Sequence, residues 1–301
     1  MSQYGQTRAI LKEHNLAPKK RFGQNFLVHK QTAEAIVKKG EITAGDIVVE
    51  VGVGLGALTY PLSRSARHVF GYEIDRGIIQ FHNESGNLPD NVTLIHRDIL
   101  TVNFDELHEK CGGNLIIIAN LPYSISNPFI FKLIEKAHLI SKATIMLQKE
   151  VADRLMARPK SKEYGIPTVL LGVCASITKV MTLKPEEFHP RPKIDSVVIT
   201  IDFSESSAFK SADIPHFNRQ FLNRLVRTAF SQRRKTLLNT LSSGCFFNKN
   251  NPYDKTLNKR YTKQAIETAN IAPSIRPECL GIPDYISLSN AFEKFQENLL
   301  Q

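Results

Sequence analysis

Cysteine is scarce in this 301-residue chain, which has only four. They are widely spaced and form no CxxC pair: Cys111, Cys174, Cys245 and Cys279. This spacing indicates neither a metal site such as zinc nor a disulfide framework, so we expect a reducing, cytoplasmic environment. Long apolar runs are also missing, because the longest uncharged stretch, 165–178, contains a proline and is too short to span a bilayer. The first fifteen residues lack the apolar core of a secretory signal.

Acidic residues are absent from positions 214–253, although the whole chain has 29 of them against 39 Lys and Arg. The same stretch contains seven basic residues: Arg219, Arg224, Arg227, Arg233, Arg234, Lys235 and Lys249. A net charge of +10 fits a solvated basic surface and a polyanion partner equally well. Its concentration in one stretch favours the partner, because a field of one sign attracts phosphates.

Short apolar runs alternate with amphipathic stretches over most of the first 203 residues. The runs predicted as strands are IVVEVG, HVFGYEI, VTLIHRD, LIIIAN and ATIMLQK. The stretches predicted as helices are KQTAEAIVKK, ALTYPLSRSA, FIFKLIEKA and KEVADRLMA. This alternation predicts an α/β fold with a mostly parallel, Rossmann-like sheet that helices cover on both faces. The later run SVVITIDF is predicted to add a strand, as one arm of an antiparallel hairpin at the sheet edge.

A polar, Ser-rich stretch, FSESSAFKSADIP, is predicted to link two domains. The boundaries that follow are a sheet domain over residues 1–204 and a second domain over 205–301. Beyond the linker, residues 216–241, 259–270 and 287–300 have the apolar spacing of amphipathic helices. The second domain is therefore predicted to be small, basic and all-helical.

A glycine-rich turn, VVEVGVGLGALTYPL, lies where the first strand meets a helix. Its glycines, Gly52, Gly54 and Gly56, permit unusual φ values and a close approach of the backbone to a ligand. Their spacing is GxGxG, which lacks the third glycine position of the dinucleotide fingerprint GxGxxG. The turn alone is weak evidence for any one ligand.

Two acids follow the next two strands and make the ligand more specific. Glu73 ends the strand GYEID, where it can accept hydrogen bonds from both ribose hydroxyls of an adenosine. Asp98 ends the following strand, where it can accept a hydrogen bond from the exocyclic amine of adenine. Taken singly, Asp98 could cap a helix and Glu73 could pair with Arg76. Together with the turn, the two acids predict a pocket for S-adenosylmethionine.

The tetrapeptide Asn120-Leu121-Pro122-Tyr123 ends a fourth strand and should face the same pocket. A residue before proline is held in extended geometry, which fixes the direction of the Leu121 carbonyl. That carbonyl and the Asn120 side-chain oxygen can accept both hydrogens of an exocyclic aryl amine, which favours attack on a methyl sulfonium. Tyr123 offers a stacking face for an unpaired or flipped-out base. A proline turn that merely ends the strand is the alternative, and the neighbouring acids argue against it.

These motifs resemble the ribosomal RNA adenine N6,N6-dimethyltransferases of the KsgA type, which act on small-subunit rRNA. The resemblance covers nearly the whole chain and is carried by KKRFGQNFL (19–27), EVGVGLGALT (50–59), EID (73–75), RDIL (97–100), NLPYSISNP (120–128), LQKEVADRL (147–155), FHPRPKIDS (188–196) and FSQRRKTL (230–237). It implies a class I methyltransferase domain, a small helical domain and two methyl transfers to each of two adjacent adenosines near the 3′ end of that rRNA. It also implies a role in small-subunit maturation.

The resemblance assigns roles residue by residue. It implies a cofactor pocket lined by Asn25, Leu27, Gly52, Gly54, Glu73, Asp98 and Asn120. It implies that Asn120, Leu121 and Tyr123 hold the target base and that Phe188 stacks on it opposite Tyr123. On its chemistry alone, Phe188 would be a core aromatic. The basic residues expected to bind RNA are Lys19, Lys20, Arg21, Arg227, Arg233, Arg234 and Lys235.

Other functions stay open at this point. A methyltransferase of large-subunit rRNA that confers antibiotic resistance is disfavoured by NLPY, where NIPY is usual, and by the FGQNFL context. A DNA adenine methyltransferase shares the Asn-x-Pro-Tyr logic but usually carries a target-recognition insert, and none is evident. A non-catalytic ribosome assembly factor is disfavoured by the intact Glu73, Asp98 and NLPY. Nothing in the sequence demands more than a monomer.

Overall fold

The computed structural model describes residues 3–14, 16, 18, 23–204, 216–244, 246–247 and 255–298. Its strands are β1 (Phe26–Leu27), β2 (Ile47–Val51), β3 (His68–Glu73), β4 (Val92–His96), β5 (Leu115–Asn120), β6 (Ile140–Gln148), β7 (Ser176–Leu183), β8 (Phe188–His189) and β9 (Ser196–Asp202). Its helices are α1 (Gln3–Glu13), α2 (Lys30–Lys39), α3 (Thr59–Ser65), α4 (Arg76–Ser85), α5 (Phe104–Cys111), α6 (Ser126–Glu135), α7 (Lys149–Leu155), α8 (Ile166–Gly172), α9 (Arg219–Ala229), α10 (Leu237–Ser242), α11 (Lys255–Thr268) and α12 (Ile282–Asn298).

Seven of these strands form one sheet with the order β4-β3-β2-β5-β6-β9-β7. The first five strands in this order, β4 to β6, are parallel to one another. The strand β9 is antiparallel to both β6 and β7. The predicted Rossmann-like sheet is therefore confirmed. The run SVVITIDF pairs antiparallel as predicted, but it lies inside the sheet, and β7 forms the edge. The half-exposed side chains of β7 give it a weak apolar pattern, which is why the sequence did not reveal it.

The central strands are buried on both faces, as parallel strands between two helix layers must be. Val48, Val49 and Val51 of β2 are all buried, as are Ile117 and Ile118 of β5. Buried strands of this kind are continuous apolar runs rather than alternating ones. The helix α2 covers part of the sheet with one face only, because its apolar residues recur at helical spacing.

The order of the strands determines where a ligand can bind. From β2 the chain continues to β3 on one side, and β5 lies on the other. The register pairs Val51 with both Tyr72 and Ala119, so the carboxyl ends of the three strands are level. Ligands of open α/β sheets bind in the crevice at such a switch point, which places the candidate site at these three strand ends.

The described residues divide into two compact units. The first lies within Met1–Ala152 and Ala175–Ser207, and the second within Asp153–Cys174 and Ala208–Gln301. The second unit therefore contains a segment from the middle of the chain, residues 153–174, which the predicted boundary at 204/205 did not include. The functional division at that boundary stays a prediction, and the predicted linker lies mostly outside the described residues.

The second unit is helical. Leu222, Leu225 and Val226 of α9 are buried, and the aromatic rings of Tyr285 and Phe292 on α12 are fully buried. The expected single helical stretch over 216–241 is instead two helices, α9 and α10. Residues 231–235 are all exposed and polar, so they offer no apolar side chain to hold a helix against the core. The basic run at 233–235 consequently lies in the turn between α9 and α10.

No helix in the described part of the chain is both long enough and apolar enough to cross a membrane.

Candidate active site

A cleft opens at the carboxyl ends of β2, β3 and β5. Its walls come from the segment before β1, the glycine turn, the end of β3, the turn after β4 and the segment after β5. The lining residues are Gln24, Asn25, Phe26, Val51, Gly52, Gly54, Tyr72, Glu73, Ile74, Asp98, Ile99, Asn120, Leu121, Pro122, Tyr123, Ser124 and Ile125. The structure therefore brings together the glycine turn, both acids and the NLPY segment, which are up to 71 positions apart in the sequence between Gly52 and Tyr123.

The glycine turn has a backbone that other residues would strain. Gly52, Gly54 and Gly56 have φ values of +80°, +53° and +86°. A Cβ on Gly52 would lie 3.1 Å from the Asn120 carbonyl oxygen, and one on Gly54 would lie 3.2 Å from the Phe26 ring. The turn is thus shaped by close approach as well as by φ, and it leaves bare backbone facing the cleft.

Glu73 ties the turn to the end of β3. Its Oε2 accepts a hydrogen bond from the Gly54 N–H (3.0 Å), and its Oε1 accepts from the N–H groups of Ile74 (2.9 Å) and Asp75 (2.8 Å). Burial raises the pKa of Glu73, and these three backbone donors oppose the rise. A carboxylate has about four acceptor positions and three are used here, so about one remains for a ligand.

Asp98 has two roles in the structure. Its Oδ1 accepts a hydrogen bond from the Leu100 N–H (2.9 Å) and caps the short 3₁₀ turn Ile99–Thr101. The capping role considered from the sequence is therefore present. The same residue also lines the cleft.

The NLPY segment is fixed by contacts on both sides. The Asn120 Nδ2 donates to the Asn25 carbonyl (3.1 Å), which orients the amide and leaves Oδ1 as its acceptor. The Tyr123 hydroxyl forms a hydrogen bond with the Ser196 hydroxyl (3.0 Å), which fixes the ring at the cleft wall. Burial raises the pKa of the Tyr123 phenol, so the hydroxyl stays protonated at neutral pH.

Two residues expected at the site do not line this cleft, although Leu27 lines a smaller cavity together with Gly52, Gly54 and Asn120. Leu27 and Phe188 face each other in the β1–β8 pair and are 5% and 1% exposed, within a hydrophobic cluster of the sheet unit. Neither lines the cleft. Successive residues of a strand point to opposite sides, so Phe26 faces the cleft and Leu27 faces the core. In this arrangement the Phe188 ring is too buried to stack on a base. This agrees with the interpretation of Phe188 as a core aromatic.

The residues expected to bind RNA are placed as follows. Lys19, Lys20 and Arg21 lie outside the described residues. Arg227 is exposed on α9, where its Nε donates to Asn223 Oδ1 (2.6 Å). The Arg233 guanidinium donates to the Lys162 carbonyl, whereas Arg234 and Lys235 are exposed in the turn beside it. The side chains of Arg234 and Lys235 are therefore open to solvent.

Two residues near the cleft were not singled out from the sequence. Gln24 lines the cleft and donates to Asp75 Oδ2 (3.0 Å), a contact that its place in GQNFL could have suggested. His82 lies on α4, with its Nε2 2.7 Å from the Gly54 carbonyl oxygen. The sequence pattern that could have pointed to His82 is a histidine four residues after Ile78, on the apolar face of a helix.

Comparison with known proteins identifies the family of this chain. The family described as ribosomal RNA adenine dimethylase matches residues 15–272. A relative from Desulfotalea psychrophila named ribosomal RNA small subunit methyltransferase A is 62% identical over 98% of both chains. A relative of the same name from Bacillus pumilus is 36% identical over 96% of both chains.

Solved structures have a similar fold. A dimethyladenosine transferase from Plasmodium falciparum matches with a TM-score of 0.71 and 27% identity, over 89% of this chain and 97% of that one. The 23S rRNA methyltransferase ErmE matches with a TM-score of 0.61 and 20% identity, over 89% of this chain and all of that one, and shows the fold alone. The sequence match over most of the chain is decisive: this protein belongs to the ribosomal RNA adenine dimethylase family.

Proposed function

We propose that this protein transfers methyl groups from S-adenosylmethionine to the N6 amines of two adjacent adenosines near the 3′ end of small-subunit (16S) rRNA. The product is N6,N6-dimethyladenosine at both positions. One observation carries the proposal: Glu73, the glycine turn and Asn120 line the same cleft. The identity to proteins named small subunit methyltransferases favours that rRNA over the large-subunit rRNA.

The cleft suits an adenosyl cofactor. Gly52 and Gly54 leave space where any Cβ would meet Asn120 or Phe26. Glu73 accepts a hydrogen bond from a ribose hydroxyl, and Asp98 accepts one from the adenine amine. Asn25 completes the wall on the side of β1. When bound, S-adenosylmethionine supplies an electrophilic methyl group on sulfur.

The NLPY segment holds the nucleophile. Asn120 Oδ1 and the Leu121 carbonyl accept the two hydrogens of the adenine amine and favour a pyramidal nitrogen. Tyr123 stacks on the base, which is worth about 1–3 kcal/mol. The bond from nitrogen to the methyl carbon would form as the bond from that carbon to sulfur breaks, leaving S-adenosylhomocysteine. No general base is required before attack, because the amine releases its proton to water once the new bond has formed. The protein therefore accelerates the reaction mainly by aligning nitrogen, methyl and sulfur.

Methyl transfer to defined particles tests this function. Purified protein and labelled S-adenosylmethionine should methylate small subunits that lack the modification, with the label on two adjacent adenosines. Naked large-subunit rRNA is the control substrate. Transfer to that rRNA alone would establish the resistance-type activity, and binding to small subunits without transfer would establish a non-catalytic assembly factor.

We extend the proposal to the setting of the reaction. The substrate is rRNA within an assembling small subunit in the cytoplasm, and the protein acts as a monomer during maturation. The acid-free stretch at 214–253 supports a phosphate-rich partner, because it concentrates positive charge in the helical unit.

The exposed turn between α9 and α10 gives a second prediction. Replacing Arg234 and Lys235 with alanine should weaken rRNA binding and reduce the slope of log affinity against log salt by about 1.5, since each neutralised phosphate contributes about 0.7–0.9. Arg233 is kept, because its bond to the Lys162 carbonyl would confound the result. Binding is measured by titration over a salt series.

The matched control is Lys38→Ala with Lys39→Ala, which removes two exposed charges from α2 of the sheet unit. This control should leave the salt slope nearly unchanged. Equal slopes for wild type and the Arg234/Lys235 variant would exclude this turn from the RNA interface. Cofactor affinity should be the same in all three proteins.

A further inference from the structure

His82 is a buried histidine that the proposed mechanism does not use. It lies in the last turn of α4 and is 2% exposed. Its Nε2 is 2.7 Å from the Gly54 carbonyl oxygen. A carbonyl can only accept, so Nε2 carries the proton and the ring donates. The other ring nitrogen, Nδ1, is buried and has no hydrogen-bond partner among the described residues.

This arrangement is costly for a residue that only fills space. A leucine or methionine would pack beside Ile78 without burying an unpaired nitrogen, and burial of a polar atom without a partner is unfavourable. Burial also lowers the pKa of His82, so the ring is neutral and in a single tautomer. The one hydrogen bond that the ring donates goes to the Gly54 carbonyl in the glycine turn.

Both backbone polar groups of Gly54, its N–H and its carbonyl, form hydrogen bonds with side chains. The Gly54 N–H donates to Glu73 Oε2 (3.0 Å), and the Gly54 carbonyl accepts from His82. Gly54 itself lines the cleft with a φ of +53°. Val53 and Leu55 on either side of Gly54 pack against apolar neighbours, but Gly54 has no side chain of its own. These two hydrogen bonds therefore hold its peptide groups directly. Only the first of them comes from a residue that faces the cofactor.

We propose that His82 is a positioning residue of the cofactor site: its Nε2–H holds the Gly54 carbonyl and so fixes the glycine turn against which S-adenosylmethionine binds. The inference rests on the proposed function, because it assumes that this cleft holds that cofactor. It assigns a role to a residue that contacts neither cofactor nor substrate.

Two variants test the proposal. His82→Leu removes the donor and should raise the Kd for S-adenosylmethionine by about tenfold, the upper end of what one hydrogen bond contributes. The KM for the cofactor should rise in parallel, while kcat at saturating cofactor stays within about threefold of wild type. His82→Gln keeps an N–H donor at a similar position and should restore most of the affinity. Calorimetric titration and steady-state kinetics give these values.

The controls separate positioning from packing. Gln80→Leu makes a similar polar-to-apolar change on the exposed face of α4 and should leave cofactor affinity unchanged. The unfolding temperature of His82→Leu should not fall, because leucine suits the apolar surroundings. Unchanged cofactor affinity in His82→Leu, or equal loss in the leucine and glutamine variants, would overturn the proposal.

A measurement on the unaltered protein does not depend on how the variants fold. In ¹⁵N-histidine NMR spectra, His82 should be the Nε2–H tautomer, and its signals should shift when S-adenosylmethionine is added. An Nδ1–H tautomer would remove the donor and overturn the inference. Cofactor titrations need no RNA, so wild-type protein that binds the cofactor but fails to methylate small subunits would refute the proposed function while leaving the role of His82 intact.

Discussion

Replacing Asn120 with alanine should lower kcat for methyl transfer to small-subunit rRNA by about a hundredfold to a thousandfold, which is typical for loss of one preorganised polar group at a reacting centre. The variant loses the Oδ1 acceptor for the adenine amine. It also loses the Nδ2 bond to the Asn25 carbonyl, which braces the opposite wall of the cleft. Single-turnover transfer of labelled methyl measures the effect directly.

Cofactor binding should survive this change in part. Glu73, Asp98 and the glycine turn are untouched in Asn120→Ala, so the Kd for S-adenosylmethionine should rise by no more than about tenfold, the equivalent of about 1.4 kcal/mol. Asn127→Ala removes an exposed amide from α6 outside the cleft and serves as the control. Turnover of Asn120→Ala equal to that of Asn127→Ala would dismiss the role of the two acceptors.

The sheet could be predicted from the sequence because its signal is local. Each parallel strand has five to nine residues and contains a short run rich in apolar residues, and a helix follows it. The same logic located the site, since the carboxyl ends of parallel strands meet at one edge. That rule predicts that Glu73 and Asn120 lie near each other, and it requires no knowledge of side-chain packing.

The parts that escaped prediction depend on distant pairing. β1 and β8 contain two residues each and pair across some 160 positions, so no period within the chain reveals them. Their register decides that Leu27 and Phe188 point into the core. The inclusion of residues 153–174 in the helical unit likewise cannot be predicted from amino-acid composition.

His82 shows a different limit. A histidine among apolar residues on a helix is compatible with core packing, with a ligand role or with a bond to backbone. Only the position of the Gly54 carbonyl, set by the left-handed turn after β2, distinguishes these possibilities. The glycine motif predicted the turn, but the residue that holds it comes from the next helix.

Glu50 lies on β2, two residues before the first glycine of the turn. It is fully buried on β2, and neither carboxyl oxygen has a hydrogen-bond partner at normal geometry among the described residues. Burial raises the pKa of Glu50 to about 8, the nearby hydroxyl of Thr59 offsets part of the rise, and the charge of Glu73 adds to it. Glu50 is therefore protonated at neutral pH in the folded protein.

The sign of the linked effect on stability follows from this rise. Below the ordinary glutamate pKa of 4.5, Glu50 is protonated in both the folded and unfolded states and favours neither. Between pH 4.5 and about 8 only the unfolded state releases the proton, so the free energy of unfolding falls as pH rises. Above about pH 8 both states are ionised, and the folded state bears the full cost of a buried charge.

Replacing Glu50 with glutamine should remove this cost. The amide has the shape of the protonated acid and cannot ionise, and the Thr59 hydroxyl beside it can accept from the new N–H group. At pH 8.5 the variant should have a free energy of unfolding higher than wild type by roughly 2–4 kcal/mol, less than the full shift implies because a buried charge draws in water. At pH 5 the difference should fall to about 1 kcal/mol or less, because folded wild-type Glu50 is then protonated and the unfolded state has only begun to gain from releasing its proton.

Urea unfolding from pH 5 to pH 9 measures this difference, with Glu84→Gln on the exposed side of α4 as a control for loss of one negative charge. Equal pH slopes for wild type and Glu50→Gln would mean that Glu50 is ionised in the folded protein. In that case the turn would have two buried carboxylates beneath it, and their repulsion would favour protonation of Glu73. A protonated Glu73 would lose one acceptor position, so a neutral Glu50 favours the ionised Glu73 that the proposed cofactor site requires.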